Sequence, residues 1–177
     1  IAAPSTKHLK NQLRMNMKMN PTEIITTEII MKKTVDEFQH LDAELNALFK
    51  DGNIEKIKFG KMVSAPKDGK LPTHWISIQV TEANDRNLTH LKGIGIHILV
   101  KIMTVNQYYE VTIEVDYGSF FKELKLSGGH DSTFAAFIYK KMDDLFRHTI
   151  NNRIHDALEK KEGWNNYSIR WKIGSFE

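Results

Sequence analysis

Ile94 to Tyr117 carries the clearest alternation of apolar and polar positions in the chain. Ile94, Ile96, Ile98, Val100 and Ile102 are apolar at every second place. After Val105-Asn106-Gln107 the pattern resumes with Tyr109, Val111, Ile113 and Val115, alternating with Glu110, Thr112, Glu114 and Asp116. Alternate side chains of a strand point to opposite faces. Two such runs about a short polar turn therefore predict an antiparallel hairpin with one apolar and one polar face.

The apolar face needs a cover, and the segment that follows can supply it. Gly118 to Leu126 is a short amphipathic piece with Phe120, Phe121, Leu124 and Leu126, closed by Ser127-Gly128-Gly129. Asp131 or Ser132 can then cap a helix running to Glu162, before Gly163. Phe134, Ile138, Met142, Leu145 and Thr149 share one stripe of it, while Arg147, Arg153 and Lys160 lie off the stripe and are expected in solvent. Unbroken, this helix would be about 45 Å long at 1.5 Å per residue. A strand of the hairpin covers about 35 Å. Ile150, Ile154 and Leu158 also fall on a different face from Ile138 and Leu145. The helix is thus expected either to break at Asn151-Asn152, where propensity is weak, or to overhang and seek the N-terminal helix or another subunit.

Upstream, Thr22 to Met31 is rich in β-branched residues, which favours a strand, although the start of a helix also fits. Thr34-Val35-Asp36-Glu37 reads as a capping box. Val35, Phe38, Leu41, Leu45, Leu48 and Phe49 then recur at helical spacing, predicting a helix over 34–50 that Asp51-Gly52-Asn53 stops. Ile57, Phe59 and Val63 mark a strand over about 54–64, Ala65 to Pro72 a loop, and Ile76, Ile78 and Val80 a second strand. Tyr167, Ile169, Trp171 and Ile173 alternate with Ser168, Arg170 and Lys172 as a last strand at a sheet edge. Together these elements predict one α+β domain over 21–177. Its mostly antiparallel sheet of four or five strands has one face covered by two amphipathic helices.

Composition narrows the chemistry more than it defines it. The 177 residues, 41% apolar and 27% charged, suit one globular domain. No run approaches the length of a membrane helix, so no membrane partner and a cytoplasmic location are expected. The absence of cysteine excludes a disulfide scaffold, thiol catalysis and thiolate zinc sites. A net charge of +3 permits acidic partners without requiring them. Residues 1–20 hold Lys7, Lys10, Arg14 and Lys18 and no acid, and read as a basic arm or a foreign leader. The chain opens on Ile1, and Met15, Met17 and Met19 each offer a native start, so residues 1–14 are left out of the fold.

Four groups of residues could carry chemistry. Gly128, Gly129 and His130 precede a helix, where free N–H groups favour an anion and His130 could donate a proton, though a plain helix-capping loop is the simpler reading of the glycines. Asp144, His148, Asn151 and His155 share one helical face, and the carboxylate and imidazoles could ligate a metal, though a solvated face is the simpler reading. Glu110, Glu114 and Asp116 with His97 could do acid–base work, unless lysines and arginines pair with them across the sheet. Lys56, Lys58, Trp75, His97, Lys101, Arg170 and Lys172, with Leu99 and Met103, would form a mixed polar face able to bind a macromolecule. No phosphate-cradling glycine turn and no nucleophile elbow is present, and no cofactor is expected.

The expectation from sequence is a non-enzymatic binding protein acting by surface recognition of a protein partner, or by self-association as a homodimer. One alternative is nucleic-acid binding by the basic arm and polar sheet face. The other is a small phosphoester- or nucleic-acid-processing enzyme using His130.

Overall fold

The computed structural model describes residues 19–51, 57–67, 69–84, 86, 88–126 and 132–176. Two helices, α1 (Pro21–Asp36) and α2 (Leu41–Asp51), lead into β1 (Ile57–Lys67), β2 (Thr73–Ala83), β3 (Gly95–Val105) and β4 (Tyr108–Asp116). A short helix α3 (Phe120–Leu126) follows, then α4 (Ser132–Asp144), and the chain ends in β5 (Tyr167–Gly174). The described strands make a five-stranded sheet in the order β1-β2-β3-β4-β5. Every neighbouring pair is antiparallel except β4 and β5, which are parallel. A parallel pair needs a long crossover, and the helical run between β4 and β5 provides it. This is the α+β sheet expected from the alternation, with β5 on its edge.

The predicted hairpin is present in register. Asn106 and Gln107 both take positive φ, 50° and 63°, and join β3 to β4 by the kind of two-residue turn that suits strand twist. Ile96, Ile98, Val100 and Ile102 of β3 and Val111, Ile113 and Val115 of β4 are buried on one face. Against them lie Leu45 and Phe49 of α2, Phe120 of α3, and Ile138 and Met142 of α4.

The N-terminal region departs from expectation. Thr22 to Met31 is helical, and the helix predicted over 34–50 is the end of α1, a turn at 37–40, and α2. Asn20 caps α1, its Oδ1 accepting from the Glu23 N–H at 2.8 Å, and Pro21 supplies a first helical residue needing no donor. The buried stripe of α1 is Ile24, Thr27, Ile30 and Thr34, with Glu23 buried beside it in the first turn. Two of its four members are threonines, so the helical period was hidden beneath a β-branched composition. Thr34 therefore lies inside the last turn of α1 and is not a cap.

The long helix runs on from α4 without a break at Asn151-Asn152. Leu145–Ile150 and Asp156–Lys161 are π-helical, with one α-helical turn, α5 (Asn151–His155), between them. Ile138, Met142, Phe146, Ile150, Ile154 and Leu158 are all fully buried. Their spacing is four throughout. In an α-helix each step of four overshoots a full turn by about 40°, so such a stripe would wind off the sheet. The wider π turns take the overshoot back and keep the stripe over the sheet. The rotation seen in sequence is absorbed by the backbone, and Ile150, Ile154 and Leu158 are buried within the chain's own core. Gly163, at φ 71°, ends the run; its N–H reaches Glu159 O and that of Trp164 reaches Leu158 O.

A deletion pair tests this. Removing the exposed His148 from the first π turn is expected to leave a plain α-helix with both flanks in register, at a cost below about 2 kcal/mol in urea unfolding. Removing the exposed Lys140 from α4 turns the preceding residues by about 100° and carries Ile138 out of the core, costing more than about 3 kcal/mol. Equal losses would contradict the role given to the π turns.

Arg153 corrects another expectation, since it is drawn into the fold rather than left in solvent. Its Nη1 and Nη2 donate to the two carboxylate oxygens of Glu44, each at 3.0 Å, and Nη2 also donates to Glu37 O at 3.0 Å. The Glu44 hydrogen bond outweighs partial burial and raises the guanidinium pKa further. The fork ties the long helix to α2 and to the turn before it. A helical wheel shows which face a charge occupies, but not which distant acid that face will meet.

Candidate functional site: the open face of the sheet

The second face of the sheet carries no helix among the described residues, and the strand register lays its side chains out in rows. Val63, Ser77, His97 and Asp116 form one row from β1 to β4. Ala65, Trp75, Leu99, Glu114 and Lys172 form the next, from β1 to β5. Lys67, Thr73, Lys101, Thr112 and Arg170 form a third.

At the centre the ring of His97 lies parallel to Trp75, 5.9 Å between centroids and 12° between planes. Two further contacts fix the imidazole. Its Nδ1 is 2.9 Å from Ser77 Oγ, and its Nε2 edge lies over Gly95, where an added Cβ would approach to 3.2 Å. Asp116 Oδ1 accepts from the Gly118 and Phe176 N–H groups, which holds the chain end against the sheet. The result is a shallow groove of about 250 Å³ lined by Lys67, Trp75, His97, Leu99, Asp116 and Phe176 among others.

Charge on this face nearly cancels. Lys101 Nζ is 3.0 Å and Lys172 Nζ 3.8 Å from Glu114 Oε1, so that carboxylate is shared by two ammonium groups. Lys172 also stands over the Phe176 ring at 5.5 Å. This pairing is the cross-strand reading of the acids considered from sequence. Lys67, Lys101, Arg170 and Lys172 face Glu110, Glu114 and Asp116 across the same surface. Ser77 and His97 make a hydroxyl–imidazole pair, but Ser77 is buried and Asp116 is occupied by backbone donors, so the parts of an acyl-transfer site do not converge.

Of the residues proposed from sequence, Trp75, His97, Lys101, Arg170 and Lys172 share the open face over β2 to β5. Lys58 is on the same face at the far end of β1, 3.7 Å from Glu82. Seven residues along β2 separate Glu82 from Trp75, about 23 Å at 3.3 Å each. Lys56, Gly128, Gly129 and His130 lie outside the described residues. The metal candidates do not converge. His148 Nε2 is 3.8 Å from Asp144, both toward solvent, whereas His155 Nδ1 meets Tyr167 Oη at 2.6 Å. Asn151 accepts from Trp171 Nε1 at 2.9 Å. The spacing of four, three and four shares a face only in a regular α-helix, and the π turn between His148 and Asn151 removes that premise. Among the described residues no three His, Asp or Glu side chains could hold a metal together.

Sequence reasoning missed Ser77, Gly95, Lys67 and Phe176. The first two could have been found once His97 was assigned to a strand, because its neighbours then follow from the period of two. Lys67 and Phe176 depend on strand ends that no local pattern marks.

The fold and site define an α+β protein with one helix-covered and one open sheet face. Comparison with known protein families, curated proteins and solved structures finds no match to this chain. Among the described residues no helix is long and apolar enough to cross a membrane.

Proposed function

We propose that this chain is a non-enzymatic binding protein that recognises a protein partner through the open face of its sheet. The observation that carries the reading is the groove at Trp75, His97, Leu99 and Phe176, which is aromatic and apolar at its centre and ringed by charges that nearly cancel. Phosphate recognition draws on a surplus of cations, and here one carboxylate already engages two of the lysines. Protein interfaces favour aromatic centres with mixed polar rims. Val63 and Met103 on the same face, and Val105 and Tyr108 at the hairpin tip, add exposed apolar surface.

One observation favours nucleic acid as a second reading: the flat Trp75–His97 stack beside Lys67 offers a platform for a base. The phosphoester-processing alternative depends on His130, outside the described residues. Affinity capture from source-cell extract, with and without nuclease and at low and moderate salt, separates the classes. The expected result is a protein retained after nuclease and at moderate salt. Loss on nuclease treatment would transfer the function to nucleic acid. No retained protein, with a dimer mass by light scattering, would replace a foreign partner by a second copy.

A further inference from the structure

The two edges of the sheet are built differently. β1 is blunted: its register shifts between Lys58 and Phe59 and again between Gly60 and Val63, Lys61 takes φ 51°, and Pro66 lies within it. The Asn46 side chain also covers this edge, accepting from Phe59 N at 2.7 Å and donating to Phe59 O at 3.1 Å. Such devices prevent strand addition. Among the described residues β5 has no bulge, no proline and no amide side chain capping it, and the only charges on it, Arg170 and Lys172, are both cationic. It pairs with β4 through eight consecutive residues without a bulge.

The phase of the β5 backbone can be read from the bonds that bracket it. Tyr109 N donates to Asn166 O and Tyr117 N to Gly174 O. In a parallel ladder this turns the N–H and C=O of the even-numbered residues toward β4, and those of the odd-numbered residues outward. Tyr108 Oη donates to Tyr167 O, at 3.0 Å. The N–H and C=O groups of Ile169, Trp171 and Ile173 are left facing out, with no bond to them among the described residues. These three side chains are half-buried, since the long helix covers them only in part. On the open face the same strand presents Arg170 and Lys172 and contains no acid. Arg170 has no ion-pair partner among the described residues.

We propose that the outer edge of β5 receives an extended peptide segment of a partner protein, alternating acidic and apolar residues, as a sixth strand. Its acidic side chains would lie beside Arg170 and Lys172, and its apolar ones would complete the cover of Ile169, Trp171 and Ile173. Charge decides against other occupants. A second copy pairing β5 with β5 would set Arg170 and Lys172 against themselves, and like charges opposite each other are destabilising. Residues 1–18 of this chain are basic without an acid and meet the same objection. The docking edge rests on the reading that this chain binds proteins. Lys172 is shared with the rim of the groove through Glu114 and Phe176, whereas the outward amides of Ile169, Trp171 and Ile173 are not, so exchange at those amides tests the edge separately.

The test uses a labelled peptide of alternating Val and Glu, its Val/Lys counterpart, and two versions of the acidic peptide N-methylated on alternate amides, one in each phase. Fluorescence anisotropy is expected to show the acidic peptide binding at least about 10-fold more tightly than the basic one. Arg170→Glu with Lys172→Glu should reverse that preference, and one of the two N-methylation phases should abolish binding. Hydrogen exchange should slow at the amides of Ile169, Trp171 and Ile173. Trp75→Ala, in the groove, should leave peptide affinity unchanged. Equal affinity for both charges, or unchanged exchange at those three amides, would overturn the proposal. So would their protection at high protein concentration without peptide, because the occupant would then be a second copy.

Discussion

Phe146→Ala is expected to destabilise the protein by about 3–5 kcal/mol, the range for a large aromatic removed from a packed core. Phe146 is fully buried where three parts of the chain meet. Its ring lies 6.5 Å from Phe38, in the turn after α1, and 6.2 Å from Trp171 on β5, and Phe38 and Trp171 are 6.3 Å apart. Truncation leaves a void bounded by a turn, a helix and an edge strand, which cannot all collapse onto it. Arg153 crosses from the long helix to the same turn and stiffens the surroundings further. Phe137→Ala is the control, since that ring is about half exposed and should cost little. Urea unfolding of both variants measures the difference. Similar midpoints would mean that the junction is not packed as described.

The second large effect is alkaline. Tyr117 is fully buried, and its hydroxyl has no hydrogen-bond partner among the described residues. Burial, followed by nearby Tyr139 and Asp143, holds its pKa far above the ordinary value of 10.0. Tyr167 shifts the same way, by burial and by the hydrogen bond it donates to Glu159 at 2.9 Å. Below pH 10 both tyrosines keep their protons in the folded and unfolded states, and they leave stability independent of pH. Above it the unfolded chain releases protons that the folded chain retains, so stability falls as pH rises. Tyr117 alone contributes a slope of about 1.4 kcal/mol per pH unit. Tyr117→Phe should match the parent near neutrality, because the lost hydroxyl bonds to none of the described residues, and should lose stability less steeply above pH 10. Parallel alkaline curves for parent and variant would contradict this burial.

His74 gives a smaller effect at the other end of the scale. Burial lowers its pKa, so below the ordinary histidine value the unfolded chain takes up a proton that the folded chain resists, and stability falls with falling pH.

The hairpin was legible because its information is local. Alternation in Ile94–Ile102 and Tyr109–Val115 names the buried face directly, and Asn106-Gln107 suits the turn. The same alternation put Trp75, His97, Lys101, Arg170 and Lys172 on the polar face before any strand order was known. α1 was illegible because Thr27 and Thr34 occupy core positions, and a buried threonine looks polar in sequence. The metal spacing misled because helical arithmetic assumes 3.6 residues per turn, which the π turns around His148 and Asn151 break. The groove was only half visible: its aromatic centre follows from periodicity, but Asp116 and Phe176 join it through a hydrogen bond sixty residues apart in sequence. The edge at β5 could be named as an edge, but not its backbone phase, which depends on the register with β4.

Adjacent residues of β3 offer the most direct measurement of whether the open face is the recognition surface. Ile98 is fully buried on the helix-covered side, and Leu99 is half-exposed beside Trp75 and Glu114. Glutamate should be introduced at each in turn, followed by thermal unfolding and by capture of the partner protein from nuclease-treated extract. Leu99→Glu is expected to melt within a few degrees of the parent, an approximate margin for a surface change, and to lose the captured protein, while Ile98→Glu fails to fold. A Leu99→Glu protein that folds and still captures the partner in full would contradict the assignment of function to this face.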